Sequence, residues 1–308
     1  MTTLPGPVIA VVGPTAAGKS ALSLALAHAL DGEVVNADSM QLYRGMDIGT
    51  AKLTLAERED VPHHVLDIWD VTEPASVAVY QRLARAAIDD VLARGRVPLL
   101  VGGSGLYVRA VLEEFEFPGT DPVLRAALET ELAERGPAPL HARLAAADPV
   151  AAERILPSNG RRIVRALEVI ALTGGRFTAE LPAPRPYYRS HQIGVDLASE
   201  PLDERIATRV DHMWAAGLVD EVRALEARGL RDGRTASRAL GYHQVLRFLE
   251  GVRTEEAAYE ETIRATRRFV RRQRSWFRRD PRVRWFDASG PDFVAGARDE
   301  AEAFVAVS

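Results

Sequence analysis

A glycine-rich segment near the start of the chain has the residue types and spacing of a phosphate-binding loop. Its sequence is GPTAAGKS, in which four residues separate Gly13 from the consecutive Gly18, Lys19 and Ser20. Backbone N–H groups at a helix N-terminus bind phosphate oxygens, a lysine neutralises their charge, and a serine hydroxyl can ligate Mg²⁺. The predicted loop, with Ser20 as candidate metal ligand, consists of Gly13, Pro14, Thr15, Ala16, Ala17, Gly18, Lys19 and Ser20. The motif predicts a bound phosphate chain but does not say which molecule carries it.

Two polar residues, Asp38 and Ser104, follow short apolar segments further along the chain. Asp38 ends EVVNAD, and Ser104 lies within VGGSGLY. Ligands of open α/β sheets bind beyond the carboxyl ends of the strands, so both residues are candidates for one site. Asp38 could ligate Mg²⁺, hold an acceptor or act as a base, and a turn or capping aspartate is the structural alternative. Ser104 could donate to a phosphate oxygen, but a serine before a helix is more often its N-cap, which we expect here.

The segment from Arg264 to Arg284 contains ten arginines and a single acidic residue. Outside this segment acidic residues outnumber basic ones, and the formal net charge of the chain is −4. The arginines recur at three- and four-residue spacing beside Trp276 and Phe277. This pattern suits single-stranded RNA, whose bases stack and whose phosphates pair with guanidinium groups. The alternative is a helix face whose arginines pair with acids elsewhere in the protein.

A second group of arginines lies at the start of another predicted helix. Arg161, Arg162 and Arg165 occur in NGRRIVRALEVI. Positive charges in the first turns oppose the helix dipole, so a bound anion could offset them. A solvated helix face explains the pattern equally well.

Alternating strand and helix patterns connect these candidate residues. Apolar segments predict strands at PVIAVVG, 33–38, 63–70, RVPLLVGG, 191–197 and VRWFD. Helical spacing predicts helices over about 19–30 and over 76–95, the second capped by Ser76 and ended by Gly95. Such alternation is typical of a parallel sheet that is covered by helices. The predicted fold class is therefore α/β.

The pattern changes between residues 119 and 187, where no strand is evident. Start and stop signals delimit two helices there, from Asp121-Pro122 to Gly136 and from Ser158 to Gly174-Gly175. We interpret 119–187 as an α-helical insertion into the α/β core. The core then consists of residues 1–118 and 188–308, and its C-terminal part is helical and arginine-rich.

Composition limits the classes of protein to which the chain can belong. Of its 308 residues, 47% are hydrophobic and 27% charged, which is typical of soluble globular proteins. The absence of cysteine excludes disulfides, thiolate metal sites and thiol nucleophiles. No apolar run approaches the roughly 20 residues of a membrane-spanning helix. We expect a cytoplasmic protein that acts without a membrane, as a monomer.

Seven motifs, in order, resemble those of the tRNA dimethylallyltransferase (isopentenyltransferase) family. They are GPTAAGKS, NADSMQLYRGMDIGTAK, PHHVLDI, VGGSGLY, RALEV, ALGYHQ and RRQRSWFR, and they run nearly from end to end. The resemblance implies a P-loop NTPase-like parallel sheet covered by helices, with an α-helical insertion domain. It also implies transfer of a dimethylallyl group from dimethylallyl diphosphate to the exocyclic amine of adenosine at tRNA position 37, next to the anticodon, with Mg²⁺.

The same resemblance assigns roles to individual residues. Asp38, Ser104 and Arg209 match catalytic positions, and Arg209 lies in LDERIATRVDHM. The family's tRNA contacts match Asp38, Ser39, Met40, Gln41, Ser104, Arg125, Arg161, Arg162, Arg165, Arg238, Gly241, Tyr242 and His243. To these we add Arg271 and Arg272 of the arginine-rich segment. Two positions differ from the family: Ser104 replaces a common threonine but keeps the hydroxyl, and His243 replaces a lysine or arginine.

If the loop holds the diphosphate of a prenyl donor, stabilising the leaving group is the main electrostatic task. Lys19, Ser20 with Mg²⁺, and Arg209 would share that task, and Asp38 would accept the amine proton once the new bond forms. A P-loop small-molecule or nucleotide kinase is the first alternative, but it leaves the arginines and the insertion without a role. A non-catalytic RNA-binding protein is the second, and it predicts RNA binding that survives Asp38→Ala.

Overall fold

The computed structural model of the chain describes residues 4–114, 117–177 and 183–307. Its strands are β1 Val8–Val12, β2 Gly32–Asn36, β3 His63–His64, β4 Val97–Gly102, β5 Ser190–Asp196 and β6 Val283–Asp287. Its helices are α1 Lys19–Leu30, α2 Val77–Ala93, α3 Gly105–Leu112, α4 Pro122–Arg135, α5 Pro137–Ala147, α6 Pro149–Arg154, α7 Gly160–Thr173, α8 Ser199–Ala215, α9 Leu218–Glu226, α10 Tyr242–Leu249, α11 Glu255–Phe277 and α12 Phe293–Ala306. Short 3-10 turns occur at Ala56–Arg58, Leu230–Asp232 and Ala236–Arg238.

The chain divides into two compact units. The first comprises Met1–Glu114 with Pro186–Ser308, and the second comprises Phe115–Arg185. The first unit contains one parallel sheet with the strand order β3-β2-β4-β1-β5-β6. Helices cover the sheet, which confirms the predicted α/β fold class. In the described part of the chain, every helix is too short or too polar to cross a membrane.

Strand β1 supplies side chains to two apolar cores, one on each face of the sheet. Val8, Ala10 and Val12 belong to the core that α2, α3, α9 and α10 cover. Ile9 and Val11 belong to the core that α1 and α12 cover. All five side chains are fully buried. The division follows from the two-residue period of a strand, which turns successive side chains to opposite faces.

Local sequence signals correctly predict where several helices begin and end. The Ser76 hydroxyl caps α2 by accepting a hydrogen bond from the amide of Val79 at 3.3 Å. Asp121 caps α4 with its carboxylate, and that helix ends at Gly136 as expected. Helix α7 follows Ser158 and ends at Gly174 as predicted, and the side chain of Asn159 caps its start.

The strand predicted over residues 63–70 is wrong for most of its length. Only His63 and His64 pair with β2, because Val65 and Asp67 adopt left-handed backbone angles with φ of 60° and 55°. Such angles are incompatible with an extended strand. The Asn36 amide donates to the Val65 carbonyl at 3.1 Å, which stabilises the turn.

The second unit has its own apolar core and, in its described residues, only helices as regular elements. Helices α4, α5, α6 and α7 pack around side chains that include Leu128, Leu140, Leu144 and Ile163. The chain returns to the first unit at Pro186, so both Tyr187 and Tyr188 lie in that unit. Tyr188 is fully buried in the first unit, and the Tyr187 amide donates to the Leu112 carbonyl at 2.8 Å.

Candidate active site

The glycine-rich segment forms the predicted connection between β1 and α1. Gly13 has a φ of 139°, and a Cβ atom there would lie 2.2 Å from the carbonyl oxygen of Val195. Only glycine therefore allows the loop to leave the sheet at this point. Gly18 and Ala16 also have positive φ, of 105° and 64°. The loop ends at Lys19, where α1 begins, so the backbone amides of the first helical turn face outward as an anion site requires.

Lys19 is a half-buried cation at the base of this loop. Its Nζ donates to the carbonyl oxygen of Pro14 at 2.7 Å. Burial lowers the pKa of Lys19 to about 8, the Asp38 carboxylate opposes that shift, and the Arg209 guanidinium adds to it. A bound diphosphate would favour the protonated form of Lys19 and so raise its pKa. An anionic ligand in the loop therefore stabilises the positive charge that burial disfavours.

Asp38 lies just beyond β2, and its backbone is held by Asn36. The Asn36 side chain accepts from the Asp38 amide at 2.9 Å and donates to the Asp38 carbonyl at 3.1 Å. The Asp38 Oδ1 accepts from the amide of Met40 at 2.9 Å. Asp38 therefore makes the bond of a turn aspartate, which was the structural alternative for this residue. Its other carboxylate oxygen has no hydrogen-bond partner among the described residues. One oxygen thus fixes the carboxylate, and the other can serve a ligand.

Ser104 does not cap helix α3, although it occupies the N-cap position. Its Oγ accepts from the amide of Ser39 at 3.1 Å and donates to the Ser39 hydroxyl at 3.2 Å. The prediction that Ser104 caps α3 with its side chain is wrong, because its hydroxyl binds Ser39 at the edge of the sheet instead. The loop after β4 is thereby joined to the loop that carries Asp38.

Arg209 brings a second cation to the same edge from helix α8. Its Nη2 donates to the carbonyl oxygen of Thr50 at 3.1 Å, and the same carbonyl accepts from the Gln41 side chain at 3.2 Å. Burial lowers the pKa of Arg209, and the charge of Asp38 opposes the shift. Lys19, Arg209 and Asp38 therefore interact electrostatically within one unit.

Arg209 also lines an open groove of about 690 Å³. The groove has charged residues along part of its wall and apolar side chains along another part. The apolar residues are Ile48, Ala51, Pro201, Met213 and Ala216. Its charged residues include the cations Lys52, Arg205 and Arg209 and the acids Asp47, Glu57 and Glu204.

The structure joins the phosphate loop to the loop after β4 through a residue that sequence reasoning missed. Gln273 of α11 accepts from the amide of Thr15 at 3.0 Å and donates to the carbonyl of Gly103 at 2.9 Å. A signal was present in the sequence. Buried positions on α11 include Thr266, Val270 and Phe277, and Gln273 continues that stripe among arginines.

The arginines of α11 fall into two groups. One group forms ion pairs with acids of the same unit, as the alternative of a paired helix face predicts, and consists of Arg264, Arg267, Arg268 and Arg274. Arg271 and Arg272 are exposed and have no acidic partner among the described residues. Together with Trp276 and further residues of α11, they line an open cleft of about 560 Å³.

Two of the four predicted contact residues in the second unit are engaged in an internal ion cluster. Arg125 and Arg165 both bind Glu168, which is fully buried, and Arg165 also donates to the carbonyl of Pro118 at 2.7 Å. Burial raises the pKa of Glu168, but hydrogen bonds from Arg125, Thr120 and Arg165 outweigh it and bring the pKa to about 2. The other two residues, Arg161 and Arg162, are exposed on the first turn of α7.

Two of the four predicted contact residues in the region 238–243 are buried. Tyr242 is fully buried, and its hydroxyl donates to Glu221 at 2.6 Å. The same carboxylate accepts from the amides of Asp47, Ile48 and Gly49 at 2.7 to 3.2 Å. Tyr242 therefore supports the loop that ends at Thr50. Among its neighbours, Arg238 and His243 are exposed, whereas Gly241 is buried.

Comparison with known proteins identifies the relatives of this chain. The IPP transferase family model matches residues 41–280. The chain belongs to the IPP transferase family. A tRNA dimethylallyltransferase of Salinispora arenicola is 80% identical over 95% of this chain and 85% of the relative. One of Thermobifida fusca is 69% identical over 93% of this chain and 92% of the relative.

Solved structures agree with this assignment. A tRNA isopentenylpyrophosphate transferase of Bacillus halodurans matches with a TM-score of 0.73 and 41% identity, over 97% of this chain and 96% of that one. A eukaryotic dimethylallyltransferase acting on tRNA matches with a TM-score of 0.83 and 27% identity, over 97% of this chain and 79% of that one. Both the resemblance and the fold expected from the sequence are confirmed, and family membership disfavours the kinase alternative.

Proposed function

We propose that this protein transfers a dimethylallyl group from dimethylallyl diphosphate to the exocyclic amine of adenosine at position 37 of tRNA. The observation that carries the proposal is the meeting of a phosphate loop, two half-buried cations and one fixed carboxylate at a single sheet edge. The family assignment supplies the reaction type. A kinase would use the same loop for ATP, but every relative named above is a prenyl transferase.

In the reaction, the bond between the allylic carbon and the diphosphate oxygen breaks, and a bond from the adenine nitrogen to that carbon forms. Charge develops on the leaving diphosphate, which Lys19, Arg209 and the loop amides stabilise. The attacking amine carries no charge beforehand and becomes acidic once it is alkylated. A weakly basic carboxylate such as Asp38 then suffices to take its proton.

The residues present suit a magnesium ion that is held mainly by the substrate. In the described residues, no group of three or more histidines, cysteines, aspartates or glutamates is placed so that it could hold a metal ion. The Ser20 side chain is exposed at the start of α1. Mg²⁺ commonly keeps several waters and binds through few protein oxygens plus substrate phosphates. Ser20 would hold the ion, which when bound neutralises charge on the diphosphate.

Contacts with tRNA belong to the same proposal. The target base must leave its stack to reach the half-buried carboxylate of Asp38, as other base-modifying proteins require. Ser39, Met40, Gln41 and Ser104 lie at the sheet edge where the base would enter, and we assign the exposed Arg271 and Arg272 to phosphates of the RNA. We also expect the segment 119–187 to contact tRNA, and the protein to act as a cytoplasmic monomer.

Mass spectrometry of nucleosides tests the proposal. Unmodified tRNA is incubated with the protein, Mg²⁺ and dimethylallyl diphosphate, then digested to nucleosides. We expect a prenylated adenosine whose formation depends on all three components. A parallel reaction with γ-labelled ATP and candidate acceptors should transfer no phosphate. Absence of the prenylated nucleoside would exclude the proposed activity, and phosphate transfer would favour the kinase.

A further inference from the structure

Gln273 lies at the junction of the two loops that must hold the reacting groups. Its Oε1 accepts from the Thr15 amide of the phosphate loop, and its Nε2 donates to the Gly103 carbonyl of the loop after β4. Ser104, the next residue, is bonded to Ser39 beside Asp38. These contacts form a continuous connection from the phosphate loop, through the side-chain amide of Gln273 and the loop after β4, to the loop that carries Asp38.

The chemistry of this position requires a carboxamide. One partner is a donor and the other an acceptor, so the side chain must present both an acceptor and a donor from its tip. The side chain is 5% exposed, so water cannot replace either bond. A Cβ atom on Gly103 would come within 2.2 Å of the Gln273 Nε2, which shows how closely the glutamine fits against that loop.

We propose that Gln273 is a positioning residue that sets the distance between the bound diphosphate and the acceptor base. The inference rests on the proposed function and adds to it. Gln273 lies two residues from the exposed Arg271, on the same helix. Helix α11 thus presents arginines on one face and fixes both reaction loops with another.

The loss of this link should affect the reaction rate more than the binding of either substrate. Gln273→Met has a similar volume and removes both hydrogen bonds. Misplacement of reacting groups by about 1 Å can cost on the order of 100-fold in rate, so we expect single-turnover rates at saturating substrates to fall roughly 10- to 100-fold. Dissociation constants for tRNA and for inorganic diphosphate should change less than about threefold, because each loop remains intact.

Gln273→Glu provides a readout that a purely structural residue would not give. An ionised carboxylate can accept from Thr15 but repels the Gly103 carbonyl, whereas a protonated carboxyl donates to Gly103 and restores both bonds. Burial raises the pKa of an introduced carboxyl. The ratio of the Gln273→Glu rate to the wild-type rate should therefore rise at least about fivefold from pH 8.5 to pH 5.5. The Gln273→Met ratio should stay flat.

The matched control is Thr266→Val on the same helix. Thr266 is buried, and its hydroxyl donates to the Thr262 carbonyl of α11 at 2.8 Å, so this change removes a buried bond without touching either loop. Its rate should equal that of wild type. If wild type forms prenylated adenosine but Gln273→Met is no slower than Thr266→Val, the positioning role is refuted. A Gln273→Glu ratio that does not change with pH also refutes it, and an inactive wild type refutes the proposed function instead.

Discussion

Asp38→Asn tests the assignment of the base most directly. The amide oxygen of asparagine can still accept from Met40, so the turn is retained. What is lost is the ability to take a proton. General-base contributions are typically about 10²- to 10⁴-fold, or roughly 3–5 kcal/mol of barrier. We expect the single-turnover rate at saturating tRNA to fall within that range while both substrates still bind.

The loss of the Asp38 charge also affects Lys19, and the size of that effect can be bounded. The charge of Asp38 raises the pKa of Lys19, which is about 8, so its removal lowers that pKa further. If the pKa fell by about one unit, Lys19 would still be roughly three-quarters protonated at pH 6.5. At that pH this indirect effect is less than about twofold, so a fall of 100-fold or more reports on Asp38 itself.

The assay is a single-turnover measurement at pH 6.5 over a series of Mg²⁺ concentrations. Asp70→Asn is the control, because Asp70 is a half-exposed acid that pairs with Arg44 and Arg228 at the surface. If Asp38 were mainly a metal ligand, excess Mg²⁺ would partly restore the rate. A mutant within about threefold of wild type at ordinary Mg²⁺ would remove Asp38 from the mechanism, since loss of a working base costs far more.

Three further predictions concern charged residues. Replacement of Arg271 and Arg272 by alanine should weaken tRNA binding and flatten the slope of log affinity against log salt by about one unit per lost phosphate contact. Replacement of the ion-paired Arg264 by alanine is the control and should change that slope little. An unchanged slope in the double variant would show that these two arginines are solvated and do not contact RNA. Only protonated Lys19 attracts a diphosphate, so the ratio of the wild-type affinity for inorganic diphosphate to the Lys19→Ala affinity should be constant below pH 8 and fall above it by up to about tenfold per pH unit. Calorimetry across pH 7 to 9.5 measures this ratio. A ratio that does not change with pH would contradict the assigned pKa of Lys19. Glu168→Gln should destabilise the protein by about 3 kcal/mol in thermal or urea unfolding at pH 7, because two arginines lose a buried partner, whereas Glu131→Gln should cost less than about 1 kcal/mol. The pKa of Glu168 is lower in the folded than in the unfolded state, so the contribution of Glu168 to the free energy of unfolding is present above pH 4.5 and is lost as the pH falls toward 2. Equal stability of the Glu168→Gln and Glu131→Gln variants would refute the stabilising role of the ion cluster.

Features that depend on neighbouring residues could be predicted from the sequence. The phosphate loop, the capping of α2 by Ser76 and the end of α4 at Gly136 all follow from a few adjacent residues. The unbroken apolar character of β1 predicted a buried parallel strand, and the structure buries it on both faces. The family resemblance added Arg209, for which residue pattern alone gave no signal.

Features that depend on distant partners could not be predicted. Ser104 resembles a helix cap, but its hydroxyl binds Ser39, 65 residues away. Gln273 binds Thr15 at a separation of 258 residues, and no spacing rule connects the two. The strand predicted at 63–70 stops early because Val65 takes a left-handed conformation that its β-branched side chain disfavours. In each case a tertiary contact overrides the local preference.

The strand order has a consequence for how the protein matures during its synthesis. Strand β1 pairs on one side with β5, in which Ser190 lies opposite Val8. When β1 leaves the ribosome, this partner strand has yet to be translated, whereas the helices of the second unit contact one another over short sequence distances. Local contacts form faster than distant ones, so the second unit should acquire its core while the sheet still lacks two of its six strands, β5 and β6. Until β5 arrives, the open side of β1 exposes unpaired N–H and C=O groups, and a nascent chain paused there is the form most exposed to aggregation.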